Sequence, residues 1–249
     1  MDRKKTTWLT ALAAALALVG AAKNSAGAER SPTGTGPFEG HGDVGKVLHA
    51  GSMEYDAAKR SYTIAGSGEN MWFASDAFQF VWKKMSGDLT LTADISFLGK
   101  GVNEHRKAVL MIRQSLEADS PYADVALHGS GLTSLQFREE KGAATHEIQA
   151  NVSAPKRLRI EKRGAYFSMW LAEEKGEFRL ASGSTRIALR EPFYVGIGVC
   201  SHDKDVVEKA VFSNVDLKAA APATAAIHEP VASRSREKEC QRTSGMLVT

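Results

Sequence analysis

The side chains best suited to metal binding or proton transfer are seven histidines, His41, His49, His105, His128, His146, His202 and His228. None forms a His-x-x-x-His pair or a His-Glu-x-x-His run. The two cysteines, Cys200 and Cys240, are too far apart for a Cys-x-x-Cys pair. Zinc is therefore not expected. His202-Asp203-Lys204-Asp205 offers oxygen ligands to calcium, but hard-cation loops usually bring three or more carboxylates, so it reads as a turn. No cofactor is expected, with calcium at this turn as the minor alternative. Hydrolysis of a glycosidic bond needs two carboxyl groups roughly 5 to 9 Å apart. Residues two apart on one strand share a face at about 6.5 Å. Glu117-Ala118-Asp119 has that spacing but precedes Pro121 in a loop, and Glu139-Glu140 sends its side chains to opposite faces. No Gly-x-Ser-x-Gly elbow, Walker loop or dinucleotide fingerprint is present, and Gly129-Ser130-Gly131 is a hairpin turn.

Recognition of a polar polymer asks for other residues: exposed rings, with amides, carboxylates and Arg completing the hydrogen bonds. Beyond the N-terminal segment the tryptophans are Trp72, Trp82 and Trp170. Trp72, with Asp76 four residues on, lies near a loop-to-strand junction. It is either a stacking ring at a groove edge or a core ring whose indole N–H bonds Asp76 or a backbone carbonyl. Phe78, Phe80 and Trp82 alternate with Gln79, Val81 and Lys83. The aromatic face is the natural core face, and Gln79 then points away from it. Arg113 and His128 end apolar strands and are costly to bury unpaired. With Tyr122, Gln136 and Arg138 they are candidates for one sheet face. The tentative ligand-binding set is Trp72, Asp76, Gln79, Arg113, Tyr122, His128 and Gln136, and no catalytic residue or metal ligand is assigned. The basic run Lys156, Arg157, Arg159, Lys162 and Arg163 is interleaved with Leu158, Ile160 and Glu161 and reads as the solvated face of a strand.

The elements that position these residues are strands. Leu89, Leu91, Ala93, Ile95 and Phe97 alternate with Thr90, Thr92, Asp94 and Ser96, a half-buried antiparallel strand. Ser52 to Tyr55 and Arg60 to Ala65 flank a turn and form a hairpin. Arg157 to Ile160 alternates again, and a turn at Arg163-Gly164 leads into Tyr166 to Leu171. Further strands are expected at Ala108 to Arg113, Ala123 to His128, Leu132 to Glu139, Phe178 to Ala181, Tyr194 to Cys200 and Ala210 to Leu217. In Tyr194 to Cys200, Val195, Ile197 and Val199 share one face. Gly196 and Gly198 lie on the other, where something large must approach the backbone. About a dozen short strands without a convincing amphipathic helix indicate a two-sheet β-sandwich.

The 249 residues carry 32 basic and 29 acidic side chains, a formal charge of +3. Arg3, Lys4, Lys5 and Lys23 account for the excess against Asp2 in residues 1 to 28, leaving 28 of each sign in the remaining 221. A neutral domain has no electrostatic footprint for nucleic acid. Arg3 to Lys5, the uncharged run Leu9 to Ala22 and Ala26-Gly27-Ala28 read as a signal peptide cleaved after Ala28. The 14-residue run is too short to span a bilayer. The mature chain is therefore expected to be periplasmic or secreted, without membrane insertion. Residues 29 to 37 read as a flexible leader, 38 to 218 as the folded domain, and 219 to 249 as a disordered tail, with Ala219 to Ala226 a low-complexity linker. Cys200 lies in an apolar strand and Cys240 in the tail, so no disulfide is expected between them.

A resemblance rests on an ordered series of short motifs. The series is Asp43-Val44-Gly45, Ala50-Gly51-Ser52, Tyr55-Asp56, Tyr62-Thr63-Ile64, Gly66-Ser67-Gly68, Trp72, Ser75-Asp76-Ala77-Phe78, Phe80-Val81 and Ser86-Gly87-Asp88. Together with Val199-Cys200-Ser201-His202, it resembles secreted bacterial domains of the concanavalin A-like lectin/glucanase superfamily. In particular it is similar to the jelly-roll modules that stand before Tol-type β-propeller repeats in proteins associated with biopolymer transport. The resemblance spans roughly Phe38 to Lys218. It implies an all-β, two-sheet antiparallel jelly-roll sandwich with a concave face able to take sugar chains. The Glu-x-Asp-x-x-Glu strand of the superfamily's glucanases is absent. The expected function is an exported, non-catalytic module that binds carbohydrate or another extracytoplasmic polymer. The alternatives are a glycan-active hydrolase or lyase of the same fold, and a structural or assembly domain of a truncated propeller protein.

Overall fold

Alternation of apolar and polar residues decides the architecture. Leu89, Leu91, Ala93 and Ile95 are buried in one continuous apolar core with Val195, Ile197 and Val199 of a strand distant in sequence. The computed structural model describes residues 34–220. Those residues form sixteen strands joined by turns and loops: β1 (Gly40–Val44), β2 (Ser52–Asp56), β3 (Ser61–Gly68), β4 (Met71–Trp72), β5 (Ser75–Asp76), β6 (Phe78–Met85), β7 (Leu89–Leu98) and β8 (Lys107–Arg113). They continue with β9 (Tyr122–His128), β10 (Thr133–Arg138), β11 (His146–Gln149), β12 (Arg157–Arg163), β13 (Tyr166–Ala172), β14 (Arg179–Arg186), β15 (Phe193–Cys200) and β16 (Asp203–Ala219).

Fourteen of these strands make two seven-stranded antiparallel sheets, ordered β1-β6-β15-β8-β9-β10-β11 and β14-β13-β12-β7-β16-β3-β2. The fold is the expected jelly-roll sandwich. The inward residues of both sheets form the core: Ala108, Leu110, Ile112, Val125 and Leu135 from the first sheet meet Leu91, Ala93, Leu158, Ile160, Met169 and Phe212 from the second. Strand β4 and strand β5 pair only with each other. Their hairpin belongs to a second apolar cluster on the outer face of the first sheet, where Met71 is buried with Phe78, Phe80, Val109, Met111, Tyr122 and Cys200.

That second cluster corrects one expectation. Phe78 and Phe80 were expected to face the main core; they lie on the outer face, while Val81 of the same strand lies between the sheets. Alternation favours the aromatic face, because the other carries Gln79 and Lys83 beside Val81, but the outer layer with Met71 gives the rings a second place to be buried. Gln79, expected to point away from the core, instead faces the inter-sheet side with Val81. It is fully buried on the Val81 side and bonds His41 Nδ1 at 3.2 Å. The glycine pattern in β15 is explained by the same layer. A Cβ at Gly198 would sit 2.9 Å from the Phe78 ring, and one at Gly196 would sit 2.9 Å from the Phe80 ring. Met169 enters the core, whereas Trp170 lies half-buried on the outer side of the second sheet, with Nε1 donating to Ser168 Oγ at 3.0 Å.

Four strands were not anticipated: β1, β4, β5 and β11. Gly40 and Gly42 in β1 carry no apolar side chain, yet they pair with β6 across from Trp82 and Phe80. Arg157, Arg159 and Arg163 share the outer face of β12, and Lys156 precedes the strand. Lys162 departs from the expected solvated face: it is buried on the other side, over the Phe193 ring. Arg157 pairs with Asp94 at 3.3 Å, Arg163 pairs with Glu161 at 2.7 Å, and Arg157 and Arg159 stack over Phe178. β16 runs to Ala219, whose partner is Leu89. The expected signal peptide, residues 29–33 of the expected leader, the residues from 221 onward and Cys240 lie outside the described residues. Cys200 is a buried thiol with no disulfide partner among the described residues, and burial pushes its pKa up to about 11.

Candidate functional site

The outer face of the first sheet carries alternate residues of its strands: Lys107, Val109, Met111 and Arg113 from β8, and Tyr122, Asp124, Ala126 and His128 from β9. Ser134, Gln136 and Arg138 come from β10, and Glu147 and Gln149 from β11. Register brings Lys107 beside His128, and Gln136 between Asp124 and Glu147. Polar residues so deep in a fold are tolerated only when partnered. The two ends of this face meet that requirement differently.

At one end three loops close over the sheet. Asp76, from the β4–β5 hairpin, accepts from Arg138 Nη2 at 2.8 Å and Nη1 at 3.0 Å, and from Arg113 Nη2 at 3.3 Å. Arg113 and Arg138 have no exposed surface. Arg138 also donates to the carbonyls of Phe73, Ser120 and Ala143 at 3.0 to 3.1 Å, tying three loops together. Arg113 donates to Glu117 O at 2.7 Å and lies over the Phe78 ring, and its Nε and Nη1 have no hydrogen-bond partner among the described residues. Burial raises the pKa of Asp76, and the hydrogen bond and charge of Arg138, with the charge of Arg113, pull it back down. Tyr122, fully buried beneath Arg138, is held well above its usual pKa by burial and by Asp76. Glu117 and Asp119 are in the loop between β8 and β9 as expected, and Asp119 pairs with Lys141.

At the other end a pocket of about 430 Å³ opens to solvent. It is lined by Asn70, Trp72, Phe73, His105, Lys107, His128, Leu132, Gln136, Glu147, Gln149 and His202. Lys107 Nζ donates to Asn70 Oδ1 at 3.0 Å and lies 3.2 Å from His202 Nδ1. Gln136 Nε2 and His128 Nε2 are 3.2 Å apart. The His105 ring sits between the other two imidazoles, 5.8 Å from His128 and 5.4 Å from His202. Its loop is anchored by the buried Arg106–Glu208 pair at 2.6 Å. Burial drives His128 down to about 3 and His202 to about 4, with Lys107 reinforcing both. Both rings are therefore neutral at pH 7.

Several atoms on or beneath this floor have no hydrogen-bond partner among the described residues. They are both carboxylate oxygens of Asp124, His128 Nδ1, Ser134 Oγ and Gln136 Oε1. Burial, with Asp76 adding to it, holds the Asp124 carboxyl well above the usual carboxylate range, against the pull of Lys107 and Arg113. At the rim, Phe73 occupies the turn of the β4–β5 hairpin at φ 51° with 69% of its surface exposed. A bulky residue in the left-handed region is a strained placement, and such strain persists where surrounding structure enforces it. Here the Phe73 carbonyl is fixed by Arg138 and Thr145.

Of the seven residues proposed from sequence, Trp72, His128 and Gln136 line this pocket. Asp76, Arg113 and Tyr122 are in the closed network, and Gln79 is on the inter-sheet side. Trp72 is half-buried and its indole makes no hydrogen bond to Asp76 among the described residues. Phe73, His105, Lys107, Asn70, Glu147 and His202 were missed. Lys107 was legible as the residue preceding an apolar strand; the others come from separate loops and an edge strand. Among the described residues no three His, Cys, Asp or Glu side chains converge as metal ligands would. A concavity of about 450 Å³ near Asn151, Leu171, Glu173 and Leu180 holds no buried polar side chain.

No family model matches the chain, and no curated protein matches it. Among solved structures, a functionally unknown protein from Saccharomyces cerevisiae is similar at a TM-score of 0.55. The two are 14% identical over 73% of this chain and 97% of that one. A carbohydrate-binding module from Bacillus subtilis aligns at a TM-score of 0.45 and 17% identity, over 73% and 97% of the two chains. A β-glucanase from Bacillus licheniformis aligns at 0.46 and 8%, over 73% and 92%. The first likeness is one of fold alone, and the other two carry no further weight.

Proposed function

We propose that the protein is an exported, non-catalytic module, periplasmic or secreted, whose β-sandwich binds carbohydrate or another extracytoplasmic polymer in the pocket beside Phe73. The observation that carries this reading is the exposed, backbone-strained Phe73, next to Trp72, at the rim of a floor with unmet hydrogen-bonding atoms. A sugar presents an apolar ring face for stacking and hydroxyls that both donate and accept, matching an aromatic rim over Gln136, His128, Glu147 and Gln149. The reading requires no metal or cofactor. Export rests on the n-region, apolar run and Ala26-Gly27-Ala28 of the sequence.

A second reading has one observation in its favour. Asp124 and Glu147 flank Gln136 on the same face, with backbones two strand spacings apart, about 10 Å. That approaches the carboxyl separation of inverting glycosidases, and a raised pKa suits a general acid. Against it, Asp124 has no exposed surface. A glycan-array screen of the exported protein, followed by titration calorimetry, tests both readings. Phe73→Ala is expected to weaken binding about tenfold with an unchanged melting curve. Trp72→Ala should weaken it while retaining the fold. Unchanged affinity in both variants removes the pocket from the reading. Release of soluble sugars from a bound polysaccharide replaces the non-catalytic reading with the hydrolase or lyase.

A further inference from the structure

The proposed pocket has a cationic corner whose charge the protein leaves unmet. Lys107 is 2% exposed, and the partners of its ammonium are the neutral Asn70 amide and His202 ring. It makes no ion pair among the described residues. The groups facing it are His105, His128 and His202, and burial keeps the latter two rings neutral at pH 7. Besides the Cys200 thiol three carboxyls act on Lys107, and one of them, Asp76, is held by Arg113 and Arg138. Asp124 lies deeper, where burial disfavours its ionisation. Glu147 is on β11, three strand spacings or about 14 Å of backbone from β8, and its Oε1 accepts from Gln149 Nε2 at 2.6 Å. A buried ammonium without a counter-ion is costly, and burial lowers the Lys107 pKa accordingly. An arriving anion would relieve that cost and receive a charge-assisted hydrogen bond.

We infer that the Lys107 corner receives a compact oxyanion carried by an acidic sugar, the carboxylate of a uronic acid or a sulfate ester, while neutral hydroxyls meet the Gln136–Glu147 side. The inference rests on the carbohydrate reading but extends it to a class of polymer. Imidazole resonances of His105 and His202 report the corner, and ring resonances of Trp72 and Phe73 report the rim. The exported chain is titrated with D-glucuronate, D-galacturonate, glucose 6-sulfate, D-glucose and acetate. Acidic sugars and acetate should move the histidine signals saturably, and glucose should not. A response to the uronates alone identifies the carboxylate, and a response to the sulfate alone identifies the ester.

Two variants separate charge from packing. Lys107→Met keeps volume and should weaken the response to acidic sugars at least tenfold. Asn70→Asp keeps both acceptor contacts of Asn70 Oδ1, to Lys107 Nζ and to the Met71 N–H, and supplies an internal carboxylate. It should abolish the response to acetate. Equal histidine shifts with glucose and glucuronate, or an undiminished response in both variants, overturn the inference. Rim shifts with neutral sugars would still support the carbohydrate reading in that case. Conversely, a Lys107-dependent acetate response with a silent rim would uphold the oxyanion corner and remove the carbohydrate reading.

Discussion

The two ends of the first sheet's outer face bury the same kinds of side chain to opposite effect. At the Asp76 end a carboxyl group receives two guanidiniums, and Arg138 spends its other donors on three loop carbonyls. At the Lys107 end, the Glu147 carboxyl, an ammonium, three amides and three imidazoles line one pocket, and five atoms on or beneath its floor are unpartnered among the described residues. One end is a fastening for the hairpin that presents Phe73. The other is an open set of donors and acceptors, several of them unbonded among the described residues. The contrast lies in the carboxyl groups: Asp76 is bonded by both guanidiniums, whereas neither oxygen of Asp124 is bonded among the described residues.

The largest expected effect lies at the closed end. Asp76→Ala leaves two buried guanidiniums without their carboxylate, and breaking such a pair costs about 3 to 5 kcal/mol. Denaturant unfolding should show that loss, and one below about 1 kcal/mol would erase the distinction between the ends. At the open end, His128 supplies a pH signature. Its folded pKa of about 3 lies below the ordinary 6.5, so the unfolded chain binds the proton first as pH falls. Stability is then present above pH 6.5 and is lost toward pH 3, at about 1.4 kcal/mol per pH unit. His128→Leu should flatten that part of the acid-denaturation curve, and an unchanged slope would contradict the buried, neutral ring.

Smaller effects sharpen the contrast further. Asp124→Leu removes a carboxyl group with no side-chain hydrogen-bond partner among the described residues, and stability at pH 7 should rise by about 1 to 3 kcal/mol. Its folded pKa is raised, so its penalty grows as pH climbs above the unfolded value near 4, and the variant should gain most at high pH. A destabilised Asp124→Leu would mean the open end is fastened after all. The smallest change is at the rim. Phe73→Gly relieves the left-handed strain and should add about 1 kcal/mol by thermal unfolding while losing sugar affinity. A variant that loses stability and keeps affinity would make Phe73 structural.

Strand positions were largely legible because a half-buried strand writes its burial as a period of two, as Leu89 to Phe97 and Val195 to Val199 do. β1 and β11 were not, because an edge strand such as His146–Gln149 buries little and keeps no apolar period. The candidate site was legible only in fragments. His128 and Gln136 announced themselves as polar residues in apolar strands. So did Arg113, by the same signal, and it belongs to the closed network. Phe73 gave no signal, because its exposure depends on a two-residue turn held by Arg138, 65 positions away.

The sequence by itself determined a two-sheet sandwich, through alternation, turn spacing and the paired glycines of β15. It also determined neutrality of charge over residues 29 to 249. Tertiary structure alone decided which face of β6 meets the core, since the aromatic face is buried by a second apolar layer contributed from other strands. It alone decided which buried polar residues have partners. A hydrogen bond between Asp76 and Arg138, or its absence at Asp124, is set by distances across loops and neighbouring strands, and no local pattern along the chain encodes such a distance.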